Sequence, residues 1–126
     1  MVVARSIQRI EPIPFVGQRN EIIEVEVKPP RALLLFGALL GHPAVAMHAI
    51  EVAQKGPQAY VELALVDGTR FFGLPTLVIA PDVPVRFKLK LHAAVNDAIE
   101  ILYWVDDEAQ QWLTRARKGH VHGNAG

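Results

Sequence analysis

Five histidines, His42, His48, His92, His120 and His122, are the side chains best suited to chemistry in this sequence. With no cysteine present, imidazole and carboxylate are the ligands left for a transition metal, and three converging imidazoles could hold copper, zinc or iron. His120-Val121-His122 offers two rings on one face when extended, but it belongs to a tail of small residues, His-Gly-Asn-Ala-Gly. His92 continues the basic row Arg86, Lys88, Lys90, whose charge opposes a cation, and His42 precedes Pro43 in a turn. His48 lies in an Ala-rich apolar segment, where a ring is either satisfied by a backbone carbonyl or poised to titrate. No H-E-x-x-H or similar spacing occurs. The expectation is therefore no metal site, with His42, His48 and His92 as the candidates for an alternative, a small histidine-ligated metal or redox β-domain.

Nucleophiles and acids are equally sparse. Ser6 is the only serine and has no G-x-S-x-G elbow around it. The acids lie on strand faces and in turns rather than in converging pairs, and Gly37 and Gly41 lack the spacing and the lysine of a phosphate loop. No catalytic residue and no cofactor follow from these patterns, and the chain is read as a non-enzyme.

Composition narrows the partner classes. Thirteen Lys+Arg balance thirteen Asp+Glu, so no net field favours nucleic acid, and the basic row Arg86, Lys88, Lys90 has no interleaved aromatics. Hydrophobic residues are 51% and charged residues 21% of the 126, which excludes disorder and predicts one well-filled domain over 1–126. The N-terminus lacks the charged-then-apolar order of a signal peptide, which points to cytoplasmic synthesis and, for an assembly protein, a virion or other assembled particle.

The elements that would position these residues are mostly strands. Ile23 to Lys28 alternates apolar and charged residues and stops at Pro29-Pro30. Tyr60 to Val66 and the run from Thr69 flank Asp67-Gly68, a type I′ hairpin signal. Val85, Phe87, Leu89 and Leu91 alternate with Arg86, Lys88, Lys90 and His92, and Ile99 to Val105 follows a turn around Asn96-Asp97, so Pro84–His92 and Ala98–Val105 read as a second hairpin. Val2 to Ile10 fits an edge strand, while Pro12 and Pro14 are expected to break the ladder and leave a bulge or an extended arm over 1–19.

Two stretches admit two readings. Pro43 to Lys55 carries helix signals, namely Pro at the first position, several alanines, Glu51 four residues before Lys55 and a Gly56-Pro57 stop. Ala46, His48, Ile50 and Val52 also alternate as a strand would; helix is favoured. Over 98–118, Val95, Ala98, Leu102, Val105, Ala109, Trp112 and Ala116 recur at helical spacings of three and four, but the β-branched and aromatic run favours strand to Val105. A short helix is then expected over 107–118, with acids at its start and Arg115, Arg117 and Lys118 at its end, followed by a mobile tail over 119–126. Ala32 to Ile50 has no Asp, Glu, Lys or Arg, which raises a membrane anchor as a further alternative. Gly37, Gly41, His42, Pro43 and His48 within it favour instead a doubly buried strand, Ala32 to Leu40, and a turn at Gly41-His42-Pro43.

What remains is a surplus of apolar side chains. Ile99, Ile101, Tyr103 and Val105 fill one strand face, yet Leu102 and Trp104 share the other with Glu100. They either lie beneath the helix carrying Trp112 or anchor an interface, where Trp and Tyr concentrate. Leu33-Leu34-Leu35-Phe36 is likewise apolar on both faces. The expected architecture is a mainly β, antiparallel sandwich of the Greek-key or jelly-roll kind with one or two short helices. The expected role is a non-enzymatic structural subunit, forming a homo-oligomer or part of a larger shell such as a capsid-decorating protein. Its contact candidates are Trp104, Leu102, Trp112 and Phe15, the last at the end of the Pro12–Phe15 arm.

Overall fold

The structure, a computed structural model, describes residues 7–105. Nine strands follow one another: β1 (Ile7–Gly17), β2 (Ile22–Val27), β3 (Leu33–Leu40), β4 (Val45–Val52), β5 (Gly56–Gln58), β6 (Val61–Ala64), β7 (Arg70–Ile79), β8 (Val85–Leu91) and β9 (Val95–Val105). They form two antiparallel sheets, β1-β9-β3-β7-β6 and β2-β8-β4-β5. Leaving β6 aside, the first strand pairs with the last, the second with the second-last, and so inward to β4 with β5. That nesting is a jelly roll, with β6 added as the outer arm of a hairpin with β7.

The core is the space between the sheets, filled by Phe72, Phe87, Leu35, Ile50, Leu89 and Ile99 among others. Strand β8 shows the pattern most simply: Val85, Phe87, Leu89 and Leu91 are buried and the residues between them are not. Elsewhere the alternation is interrupted. A register shift between Leu35 and Gly37 lets Leu33 and Leu35 face inward on one side of it, and Ala38 and Leu40 on the other.

The stretch 43–55 is not the expected helix: Val45–Val52 is a strand paired to β8 and β5, with a second register shift between Met47 and Ala49. Val45 and Met47 point inward before it and Ile50 and Val52 after it, so the strand's apolar spacing is broken once, at His48. The stretch 32–50 is accordingly two strands in different sheets, and among the described residues no helix is long and apolar enough to cross a membrane.

Three further expectations are corrected. The arm expected over 1–19 is, from Ile7 to Gly17, a strand paired without interruption to β9. β1 is an edge strand, and Pro12 and Pro14, two residues apart, can both turn their missing N–H to the open side. β8 and β9 are not a hairpin, since they belong to different sheets, and Asn96 and Asp97 lie within β9 opposite Val16 and Phe15. The Asp67-Gly68 turn is not type I′. Only Gly68 has a positive φ, of 85°, and the Leu65 N–H reaches the Thr69 carbonyl at 2.6 Å, as in a three-residue loop ending in a glycine bulge.

One open side of the sandwich is tied shut by Arg70. Its guanidinium donates to the carbonyls of His42, at 2.8 Å, and Val45, lies 5.7 Å from the Phe72 ring centre and 3.7 Å from a Glu62 oxygen. Beside it the Tyr60 hydroxyl donates to the Met47 carbonyl at 2.7 Å, where the β4 register shifts. These bonds join the two sheets through a charged, half-buried donor, so Arg70→Ala should lower stability by about 3 kcal/mol, read from the urea midpoint at unchanged slope.

In the β6–β7 turn the Thr69 N–H donates to the Asp67 carboxylate at 3.0 Å, which holds that carboxyl below its usual value of 3.8. A carboxyl lowered on folding stabilises the fold above its unfolded value and loses that contribution as pH falls through the lowered one. Exchange of the Thr69 amide should therefore accelerate below about pH 3.8 in the native chain, and the Asp67→Ala variant should show no such step.

Candidate association surface

The two sheets present unlike faces to the outside. On the four-stranded sheet the outer face is a ladder of charges. Arg86 Nε lies 3.2 Å from Glu26 and 3.9 Å from Glu24 on β2, and Lys88 Nζ lies 2.7 Å from Glu51 on β4. The bond to Glu51, and then the charge of that carboxylate, raise the Lys88 pKa. The acidic and basic rows thus meet across neighbouring strands of one sheet, which leaves this face well solvated.

The outer face of the five-stranded sheet is different. Registered rows run across it: Ile10, Leu102, Gly37, Gly73 and Val61 in one, Pro12, Glu100, Leu39, Phe71 and Leu63 in the next, and Gln8, Trp104, Leu34 and Val78 in a third. Among the described residues of these rows only Glu100 is charged. The β3 irregularity sets Phe36 against Trp104, with ring centres 4.6 Å apart and planes 26° from parallel. Phe71 lies across two glycines. A Cβ on Gly73 would come within 2.8 Å of its ring, and one on Gly37 would strike the ring and sit 2.9 Å from the Phe72 carbonyl oxygen. Covering bare glycine backbone with a neighbouring ring is a device for supporting a sheet where side chains are missing.

The edges of the sandwich are also unlike. β1 carries Pro12 and Pro14, β2 carries Glu24 and Glu26, and β5 is three residues long with Pro57 at its centre. Each is a recognised way to discourage another chain from adding a strand. β6, four residues long and carrying Glu62, has no proline, and all four of its residues are exposed, with Val61 at 63% and Leu63 at 53%. Leu65 and Val66, just beyond, are exposed as well. The outer apolar face therefore runs to an open backbone edge.

The residues singled out by sequence fall unevenly on this surface. Leu102 and Trp104 belong to it; Leu102 is already 6% exposed, outside the inter-sheet core, and Trp104 is half-buried in the stack with Phe36. Phe15 does not belong to it. It points inward from β1, is 7% exposed and packs in the core, so it serves the fold rather than a contact. Trp112 and the helix expected over 107–118 lie outside the described residues, as do His120 and His122.

The histidines are dispersed. His42 sits in the β3–β4 turn, where its Nδ1 accepts the Ala44 N–H at 3.1 Å, the bland role of a turn residue. His48 is exposed at the β4 irregularity, and His92 is exposed just after β8. Among the described residues no three of His, Asp or Glu are grouped as metal ligands would be. Phe71, Leu39, Val61 and Leu63, by contrast, were not marked by any local pattern. Their sharing of one face depends on strand register between distant segments.

No known protein family, curated protein or solved structure matches the chain. The surface is therefore judged on its own chemistry.

The glycines under Phe71 give a direct check on its geometry. Gly37→Ala should cost about 1–3 kcal/mol in denaturant unfolding, because both the ring and the Phe72 carbonyl would have to move, whereas Gly41→Ala, at a site with open space, should be near neutral.

Proposed function

We propose that this chain is a structural subunit that works by assembling with copies of itself, not by bond chemistry. The single observation that carries the reading is the contrast between the outer faces: one charged and internally paired, the other apolar across all five strands. Antiparallel sheets with one solvated face ordinarily make that face polar. An apolar face continuous with a proline-free edge is suited to a second sheet or strand, and a second copy supplies both at once.

Within assemblies, a shell or capsid-decorating subunit is the kind we favour. Jelly rolls build virus shells, but they also serve lectins and cupins, so this finer step is analogy at the level of fold. The residues proposed to act are Trp104 with Phe36, Leu39, Phe71, Val61 and Leu63 on the same face; Leu102 shares that face but, at 6% exposed, has little left to bury.

Light scattering and native mass measurement across a concentration series test the reading. The chain should exceed its 13.9 kDa monomer mass. The double variant Val61→Glu/Leu63→Glu, at two exposed sites, should keep the β-sheet circular dichroism and weaken association by about a hundredfold or more. A monomer at high concentration would mean that the chain covers this face by itself, and would refute the proposal. So would a double variant that assembles as the parent does.

A further inference from the structure

The two open sides of the sandwich are finished differently. Arg70 and Tyr60 close one, but at the other β1 and β2 belong to different sheets and do not pair. Behind that gap lies a cavity of about 490 Å³. Its deep walls are apolar side chains from both sheets, Leu33, Leu35, Val85, Phe87 and Ile101, and Val27 stands among the residues around it. Packed cores leave few voids larger than a water molecule, while ligand sites typically hold about 300–1,000 Å³. Water is a poor filling for such walls, which offer it no hydrogen bonds.

Charge is supplied by the segment Lys28-Pro29-Pro30-Arg31, all four residues of which line the cavity. The two prolines fix the backbone between the cations, and the Pro29 carbonyl is held by the Asp82 N–H at 2.7 Å. Among the described residues neither Lys28 nor Arg31 has an ion-pair partner, although every strand-face cation of β8 is engaged. Glu11 also lines the cavity, and its carboxylate accepts the Tyr103 hydroxyl at 3.3 Å.

We propose that this cavity binds a long-chain monocarboxylate, with the alkyl tail between the sheets and the carboxylate at Lys28 and Arg31. Two cations on a braced segment beside an apolar chamber match an amphiphile with one anionic head. Glu11 nearby disfavours a head of higher negative charge, which selects a carboxylate over a phosphate. This inference does not depend on self-association, since none of the cavity's deep walls lies on the outer face.

Calorimetric titration of the delipidated full chain with dodecanoate tests it. One dodecanoate per chain should bind, and decanoate should bind about tenfold more weakly, as expected for two fewer buried methylenes. Lys28→Glu/Arg31→Glu, at exposed positions, should weaken dodecanoate at least about tenfold, and Val27→Trp should abolish binding while thermal unfolding stays cooperative. No saturable heat, equal affinity for dodecyltrimethylammonium, indifference to tail length, or full binding by the Val27→Trp variant would each overturn the proposal. Tighter binding of dodecyl phosphate would overturn the choice of head group.

Discussion

A strand offers its side chains alternately to two faces, and a sheet in water has only one core to face. Every apolar residue placed on the second face has to be hidden by something else or left in contact with solvent, at roughly 25 cal/mol per Å². In the four-stranded sheet this constraint is met by charge: Glu24, Glu26, Arg86, Lys88 and Glu51 occupy the outside and satisfy one another. In the five-stranded sheet it is not met by polarity. Phe36 and Trp104 stack, and Phe71 lies over Gly37 and Gly73, so the exposed rings shield part of one another and of the bare backbone. Val61 and Leu63 at the edge have no such shelter.

The face that results depends on local departures from alternation. Without the irregularity at Leu35/Gly37, an inward Leu33 and Leu35 would oblige Gly37 and Leu39 to be the inward pair further on. Ala38 and Leu40 would then leave the core. The same segment runs two residues of β3, from Leu35 to Gly37, against four of β7, from Leu77 to Gly73. Pro75 and Thr76 fall in that interval and are exposed, while Leu74 and Leu77 on either side stay buried. A bulge is thus what allows one strand to feed the core along its whole length.

How much of this was legible in the sequence follows from range. Strands with unbroken alternation, such as β2 and β8, declare both their existence and their inward face, and Leu102 and Trp104 stand out because Ile99 to Val105 is apolar on both faces. The sandwich class follows from the number of such runs. β4 misled because Pro43, the alanines and the Glu51–Lys55 spacing are local helix signals, which pairing with β8 and β5 overrides. β1 misled because proline is a breaker in a central strand and tolerable at an edge, and only the sheet order tells which applies. The β8–β9 hairpin was the wrong inference because the chain crosses from one sheet to the other between these two strands. Ile7 meets Val105, which no short window can reveal. For the same reason the ring over two glycines left no local mark, since Gly37, Phe71 and Gly73 become neighbours only through register.

The nested topology also accounts for the uneven finish of the sandwich. Pairing first strand with last leaves β1 and β2 as the edges of their sheets on one side, and on the other the edges are β5 and β6. On the β5–β6 side the chain passes between sheets within a few residues, so Tyr60 and Arg70 are at hand to bond carbonyls at Met47, His42 and Val45. Charge-assisted bonds of that kind hold the sheets together without filling the space between them. On the β1–β2 side the link runs at the end of the strands, through Asn20 with its positive φ, and leaves the long edges free to part. Side chains from β1 and β2 would have to be large to close that gap, and Ile13 and Val27 are not. The opening is therefore a consequence of which residues the chain places on two edges that its topology never joins.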